Sequence, residues 1–479
     1  MWADKNTCPD ASAGPTPVAQ CSEGARAGGS SAEGFGNLRI TPKRSPLSDP
    51  TAASSTGPSA DRSIPGKELA ESARRLGLRV PTAHHIARRA FALSGICALA
   101  AWIWALAGLV GAPGSRYWWG PLHLFMAGTV VLAISGATQM FTITWAAAPV
   151  GDSLRPQVTQ RRLAALGAAS VATGVTLRWD ALTLAGGLAV LASLVLLGVL
   201  LRSYVGRSLL KRYDLGTRFY ILALACGAVG VTLGVYLAVW EPSSTFLILR
   251  NAHMHLNLIG LVGFVIAGTL PTFLPTLAHH KAVSGKELIF SYRVLQVGAL
   301  ALVAGLLSPR AVGLGTSLYS LALGLISAGI AVRLRSRLLE KGGMQAAHVI
   351  AGTGWLVVWA AFDGLRTLLG GQPTAPFRSV TLAAAVGGVG QVLAGSVGYL
   401  VPVLIGPSRR LISNIAHFGR QPAISLVLAN AAALTWLAGL VRLGVVLALL
   451  WATDIGRRLA TVERKSPDQT QLSPEHLVI

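Results

Sequence analysis

The chain has 479 residues, of which 52% are hydrophobic and only 13% are charged. So few charged side chains cannot cover a soluble globule of this size, which excludes an ordinary soluble enzyme or binding domain. The net charge of +22 does not predict a nucleic-acid partner, because the basic residues lie in short segments between apolar runs rather than along one stripe. We therefore expect an integral membrane protein whose main partner is the lipid bilayer.

Three regions differ in composition. Residues 1–85 are rich in Ser, Gly, Pro and Ala and have few large apolar side chains, which predicts a disordered N-terminal tail. Residues 86–458 contain the apolar runs and form the predicted membrane domain, and residues 459–479 form a polar C-terminal tail. The chain is thus predicted to have one folded domain between two tails.

The membrane domain is expected to be all-α. About 20 apolar residues cross the hydrocarbon core of a bilayer as a helix, and runs of this length recur throughout the domain. We predict twelve spans, near residues 90–112, 120–147, 161–177, 181–201, 219–240, 253–277, 289–307, 311–332, 346–367, 379–404, 422–438 and 440–454. These spans define the fold class as a polytopic membrane helical bundle.

The basic residues divide unequally between the two sides of this bundle. From Arg79 onward, 25 Lys and Arg residues fall on the side of the N-terminus and 7 fall on the other side. Short loops rich in Lys and Arg remain on the cytoplasmic side of a membrane. Both termini are therefore predicted to be cytoplasmic.

A motif recurs every four spans. Span two reads "HLFMAGTVVLAISGATQMF" from His123, and span six reads "HLNLIGLVGFVIAGTLPTF" from His255; each has a glycine five residues after the histidine and another eight residues later. Span ten keeps the glycines as Gly387 and Gly395 but has Leu382 at the histidine position. This recurrence predicts three pseudo-repeats of four helices. Glycines at such spacing also allow close helix packing without any cofactor.

Three histidines lie at the predicted outer ends of these spans: His123, His253 and His255. Ionisable groups within a membrane are candidates for function, and a neutral imidazole binds haem iron or copper. Positions i and i+2 of a helix point about 200° apart, so His253 and His255 are expected to face different partners. Their matching repeat positions favour His123 and His255 as a ligand pair. The alternative is that His253 meets lipid headgroups and His255 bonds a carbonyl group.

Two further sets of polar residues fall within span nine. His348 enters the span from the predicted cytoplasmic side and is interpreted as a hydrogen-bonded core histidine without a functional role. Asp363 and Arg366 are three residues apart near the outer end, which suits an ion pair on one helix face.

The stretch "HMHLNLIGLVGFVIAGTLPTFLP" resembles the H-x-H helix of the haem-copper oxidase catalytic subunit, especially the cbb3 type, and "PLHLFMAG" resembles the haem-ligand region of its second helix. That superfamily has twelve spans in three pseudo-symmetric arcs. The resemblance implies that His123 and His255 are axial ligands of a haem b and that His253 faces a second haem or metal site. It also implies that Arg366, Arg250 or Arg378 holds the haem propionates.

The chain departs from that family in ways that matter for function. The copper site of the family needs a histidine pair on the seventh span, and "IFSYRVLQVGALALVAGLLS" has none. The depleted ligand set is more similar to the NnrS-like proteins of the nitric-oxide response and to the membrane region associated with bacterial copper oxidases and nitrite reductases. A complete oxygen-reducing centre is therefore not expected.

Together these features predict a multi-pass protein of a bacterial inner membrane that binds haem b, with copper as a second candidate cofactor. The resemblance implies electron transfer or nitrogen-oxide handling, as an oxidoreductase or its associate, with a periplasmic copper protein or another electron donor as partner. The alternative is a transporter or membrane scaffold that binds no metal.

Overall fold

The computed structural model describes residues 82–110, 119–150, 153–208, 214–240, 245–282, 285–371, 377–405, 411–419 and 422–462. Every regular element in these ranges is helical, which confirms the all-α fold class for this part of the chain. The predicted N-terminal tail lies outside the described residues apart from residues 82–85, and the predicted C-terminal tail apart from residues 459–462.

Sixteen α-helices and three π-helical segments account for the described elements. In chain order they are α1 (Ala83–Val110), α2 (Trp119–His123), π1 (Leu124–Val130), α3 (Val131–Ala146), α4 (Arg155–Leu177), α5 (Asp180–Gly206), α6 (Asp214–Trp240), α7 (Phe246–His255), π2 (Leu256–Gly263), α8 (Phe264–Leu277), α9 (Lys286–Ala304), α10 (Pro309–Lys341), α11 (Gly343–Leu368), α12 (Phe377–Ala383), π3 (Ala384–Gly390), α13 (Gln391–Ile405), α14 (Leu411–Phe418), α15 (Pro422–Leu437) and α16 (Val441–Ala460). Each predicted span falls largely on one of these helices or on one continuous helical stretch.

Nine helical stretches within the described ranges are long and apolar enough to cross a membrane. They include the three stretches that contain π segments, and they leave out α4, α15 and α16 from the twelve predicted spans. Helix α4 is less apolar because Arg155, Arg161 and Arg162 lie in its first turns, and the apolar part of α15 is short. Large apolar side chains such as Val332 and Leu300 are exposed along the spanning helices, as expected of surfaces that face lipid.

The loop between α4 and α5 is short enough to make these helices an antiparallel hairpin. Arg178 ends α4 in the left-handed conformation, with φ 56°, and α5 begins at Asp180. The two helices pack closely through glycines: a Cβ at Gly167 would lie 2.8 Å from the carbonyl oxygen of Gly186. A hairpin of this kind is the local unit from which helical membrane bundles are built.

Three π-helical segments follow the motif positions found in the sequence. Segment π1 begins directly after His123, π2 directly after His255, and π3 two residues after Leu382. A π-helical turn contains an extra residue, which changes the direction of the side chains that follow it; such segments are rare and are frequent at functional sites. Each π segment therefore begins one or two residues after the position that the histidine occupies in the motif.

The motif glycines contact a preceding long helix in the same order each time. In each case the second glycine lies against the first part of that helix, and the first glycine lies against a residue six or seven positions further along it. The contacts that a Cβ would make with this helix include those of Gly136 with Ala90 (2.9 Å) and of Gly128 with Cys97 (3.1 Å). In the second copy they include Gly268 with Phe219 (2.5 Å) and Gly260 with Cys226 (2.5 Å). In the third copy they include Gly395 with Val349 (2.8 Å) and Gly387 with Trp355 (3.2 Å). The helices contacted are α1, α6 and α11, respectively.

Candidate functional site

His123 lies at the end of α2, and its ring is held from two sides. Its Nδ1 atom is 2.9 Å from the carbonyl oxygen of Trp119, and its ring stacks on the Trp119 ring with centroids 3.5 Å apart. Since a carbonyl only accepts hydrogen bonds, Nδ1 carries the proton. The Nε2 atom of His123 is therefore left with an unprotonated lone pair that can bind a metal.

His253 is fixed in the same way by a different helix. Its Nδ1 atom donates to the carbonyl oxygen of Gly230 on α6, at 2.7 Å, and this bond again leaves Nε2 as the free lone pair. The side chain of Asn257 donates to the carbonyl oxygen of His253 itself, at 2.8 Å. The His253 ring packs against Gly234 of α6. A Cβ at this position would lie 2.5 Å from the Cε1 atom of the ring.

The rings of His123 and His253 lie close together. Their centroids are 6.4 Å apart, and their planes differ by only 15°. An imidazole nitrogen binds a metal at about 2.0–2.1 Å and lies about 1.1 Å from the centre of its ring, so two rings on opposite sides of one ion have centres about 6.3 Å apart. The observed centroid spacing is therefore close to the spacing of two imidazoles that bind one ion.

His255 is buried and forms a separate polar cluster on the other side of α7. Its Nδ1 atom donates to the carbonyl oxygen of Asn251 at 2.8 Å, and its Nε2 atom lies 2.8 Å from a carboxylate oxygen of Asp363 on α11. The Arg366 side chain donates to the other carboxylate oxygen at 3.3 Å, which confirms the predicted Asp363–Arg366 ion pair. Since both ring nitrogens face oxygens, either the ring carries two protons or the carboxyl group carries one.

The two histidines of "HMH" thus face different helices, as their spacing predicts. His253 points to α6 and to His123, and His255 points to α11 and to Asp363. The pairing of His123 with His255 as haem ligands stays a prediction. In the structure both nitrogens of His255 have hydrogen-bond partners. The structure brings His253 to His123 instead.

The remaining basic candidates lie near this region in different settings. The Arg366 guanidinium contacts Asp363, and the Arg250 guanidinium lies 5.7 Å from the centre of the Phe246 ring. The side chain of Arg378 lies outside the described part of the structure. Arg366 as a propionate partner stays a prediction.

His348 is confirmed as a hydrogen-bonded core histidine. Its Nδ1 atom donates to Oε1 of Gln391 at 3.1 Å, and its Nε2 atom accepts from the Ser425 hydroxyl at 3.0 Å. The ring is fully buried between α11, α13 and α15. With both nitrogens satisfied, it joins helices rather than offering a ligand.

The donor set around His123 and His253 limits which cofactors fit. Among the described residues, no group of three or more His, Cys, Asp or Glu side chains is close enough to hold a metal ion. A structural zinc ion needs four such ligands and a catalytic one needs three. Haem iron needs only one or two from the protein, because the macrocycle supplies four nitrogens. Two opposed imidazoles therefore fit haem better than they fit a bare zinc or copper(II) ion.

Sequence reasoning missed several groups that hold these rings. The contacts from Gly230 and Gly234 of α6, and the ion pair of His255 with Asp363, join segments that are far apart in the chain. Trp119 and Asn251 could have been found from the sequence. Each lies four residues before a histidine, and its carbonyl oxygen accepts the Nδ1 proton of that histidine. That i−4 relation is visible in the sequence once the segment is known to be helical.

A comparison with known protein families finds no family model that matches the chain, and a comparison with curated proteins finds no significant match. The likeness to the haem-copper oxidase subunit therefore rests on the quoted motifs.

Proposed function

We propose that this chain is an integral membrane protein that binds haem b between His123 and His253. The observation that carries this proposal is the close approach of two nearly parallel imidazoles with centroids 6.4 Å apart. Each ring also donates its Nδ1 proton to a backbone carbonyl. Such a bond fixes the tautomer and leaves Nε2 free to bind iron if haem were present, as outer-shell hydrogen bonds do in metal sites.

The protein residues in this proposal hold and shield the cofactor. The carbonyl groups of Trp119 and Gly230 orient the two rings, and Gly234 provides the space in which the His253 ring lies. When bound, a haem with two imidazole ligands supplies one-electron transfer at a potential set by its axial ligands and apolar surroundings. We therefore propose electron transfer, linked to a periplasmic electron donor such as a copper protein, in preference to gas reduction at an open iron position.

The repeats, the number of spans and the position of the termini are part of the same proposal. The three π segments after the motif positions, and the ordered glycine contacts with α1, α6 and α11, support three pseudo-repeats of four helices. We propose twelve spans by adding α4, α15 and α16 to the nine stretches that qualify by length and hydropathy. The distribution of Lys and Arg supports cytoplasmic termini in a bacterial inner membrane.

An optical spectrum of the full chain tests the proposed cofactor. We expect protein purified from cells supplied with haem precursor to show a Soret band, and a reduced spectrum typical of iron with two nitrogen ligands. Pyridine haemochrome analysis should identify haem b at about one per chain. Absence of haem under these conditions, in a protein that elutes as a single species in detergent, would contradict the proposal.

A substitution on α6 tests the arrangement of His253 without removing a ligand. In Gly234→Ala the new Cβ would meet the His253 ring at 2.5 Å, so the ring must shift from its present position. We expect haem affinity to fall roughly tenfold, which corresponds to the lower part of the 1–3 kcal/mol cost of overpacking. Gly329→Ala on α10 is the matched control, because nothing lies within 4 Å of a Cβ there. Equal haem affinity in both variants would place the cofactor elsewhere.

A second candidate function is a transporter that binds no metal. The cluster of His255, Asp363 and Arg366 favours it, because charged groups within a membrane line substrate or proton pathways. Two buried nitrogens nearby, Nδ2 of Asn251 and Nε1 of Trp359, have no hydrogen-bond partner within the described ranges. A chain without haem that carries a solute into proteoliposomes, and that stops doing so in Asp363→Asn, would replace the first proposal by this one.

A further inference from the structure

The first part of α4 turns a polar face toward the interior of the bundle. Gln157, Gln160 and Arg161 lie at positions i, i+3 and i+4, which share one face of a helix, and all three are buried. The neighbouring Arg162 points outward and is exposed. The polar face accounts for the low hydropathy of this helix, and it is separate from the histidine site.

The amide groups on this face belong to a hydrogen-bonded network with α3 and α5. Gln160 accepts from the Ser135 hydroxyl at 2.6 Å and donates to the Ser193 hydroxyl at 3.0 Å. The Tyr204 hydroxyl accepts from Gln157 at 2.9 Å and donates to a Gln139 side-chain oxygen at 3.2 Å. These bonds hold the side chains in place and leave little freedom to satisfy other groups by rearrangement.

Two buried atoms at the edge of this network have no hydrogen-bond partner among the described residues. They are Nη1 of Arg161, a cationic donor, and Oε1 of Gln157, an acceptor. The side chains that interact electrostatically with Arg161 are Arg89, which repels it, and Tyr204. Tyr204 in turn interacts with Arg207. Among the described residues, none of the recorded ion pairs gives Arg161 a carboxylate.

A buried guanidinium without a counter-ion is unfavourable, because burial removes its hydration and nothing replaces it. A bound anion would supply the missing charge. The donor geometry of arginine matches the oxygens of a phosphate group, and the second arginine would add to the attraction. The free Oε1 of Gln157 adds a requirement for a hydroxyl donor, which a protonated phosphate or a glycerol headgroup provides.

We propose that Arg161, with Gln157 and Arg89, forms a binding site for a phosphate group that carries or adjoins a hydroxyl. The source of that group is either free inorganic phosphate or the headgroup of an anionic phospholipid. The predicted topology places this end of α4 at the cytoplasmic surface, where both are present. This site lies in a part of the chain that the haem proposal does not use.

The test measures thermal stability of the full chain in a neutral detergent. The probes are inorganic phosphate, phosphatidylglycerol and, as the uncharged comparison, diacylglycerol. We expect phosphate or phosphatidylglycerol, and not diacylglycerol, to raise the melting temperature saturably by a few degrees. Stabilisation by inorganic phosphate alone identifies a soluble anion, and stabilisation by the lipid alone identifies a headgroup.

Arg161→Gln and Arg162→Gln form a matched pair, because they remove the same charge from adjacent residues, of which Arg161 is buried and Arg162 is exposed. We expect Arg161→Gln to weaken the effect of the probe at least tenfold and Arg162→Gln to leave it unchanged. If Arg161→Gln does not fold, the exposed Arg89→Gln should still weaken the probe severalfold relative to Arg162→Gln. A lack of response to both phosphate probes, or an equal response in all variants, would overturn the proposal.

Discussion

Replacement of His253 by alanine is expected to yield a chain that folds but purifies with little or no haem. The reason is that we propose His253 and His123, whose ring centroids lie 6.4 Å apart, as the two haem ligands. Loss of one axial ligand should weaken haem binding by roughly a hundredfold or more, beyond the 10–100-fold cost of losing an outer-shell contact. The measurement is the ratio of Soret to protein absorbance, with titration of haem into the apoprotein.

Three comparison variants separate this result from general damage. His123→Ala should behave like His253→Ala, whereas His255→Ala should retain haem, because both nitrogens of His255 already form hydrogen bonds. His280→Ala changes an exposed histidine at the other end of the same helical stretch and should have no effect. Retention of haem in His253→Ala together with its loss in His255→Ala would restore the pairing that the repeat predicts.

A cavity variant distinguishes a ligand from a packing residue. In His253→Gly the missing ring leaves a space, and added imidazole can occupy it and bind the iron. We expect imidazole to restore the Soret band of this variant, and added benzene, which has a similar shape and no nitrogen, to leave it unchanged. Recovery with both compounds would assign His253 to packing alone.

Replacement of Asp363 by alanine is expected to destabilise the fold without removing haem. The Asp363 carboxylate joins His255 of α7 to α11 and also binds Arg366, and it is mostly buried. Removing one partner of a buried ion pair leaves the other uncompensated, so we expect the free energy of unfolding to fall by roughly 3 kcal/mol. Reversible unfolding in mixed micelles measures this change, and the Soret band reports the cofactor in the same samples.

The exposed ion pair of Glu287 with Arg333 is the control for this experiment. Glu287→Ala removes a carboxylate of similar geometry from a surface where water solvates both partners, and we expect little measurable change in stability. If Asp363→Ala and Glu287→Ala unfold alike, the His255 cluster contributes no more than a surface pair. If Asp363→Ala loses haem while keeping its stability, His255 belongs to the cofactor site.

Much of the architecture is determined locally and could therefore be predicted. Apolar runs long enough to cross a bilayer make helices, because the backbone has no other hydrogen-bond partners there. The opposite directions of His253 and His255 follow from helical geometry alone, and the structure agrees with them. The Asp363–Arg366 pair and the core role of His348 were predictable for the same reason: each depends on helix spacing and burial.

The partners of the histidines could not be predicted in this way. The sequence motif relates His123 to His255 by position in the chain, but matching positions of a recurring motif need not touch, and the ring near His123 is that of His253. The residues that decide the contact are Gly230 and Gly234, whose missing side chains let α6 approach the His253 ring. The π segments are likewise invisible in the pattern, since hydropathy does not reveal one extra residue in a turn.

The sequence by itself determined that this is an all-helical membrane protein with a recurring glycine motif and three histidines near the ends of two spans. Only the tertiary structure decided that His253 lies beside His123, that His255 is bound to Asp363, and that Nη1 of Arg161 is buried without a partner in the described part of the chain. Spans and side-chain directions depend on neighbours within a few turns of helix. Pairings and counter-ions depend on which helices lie side by side, and that is set by packing over the whole bundle.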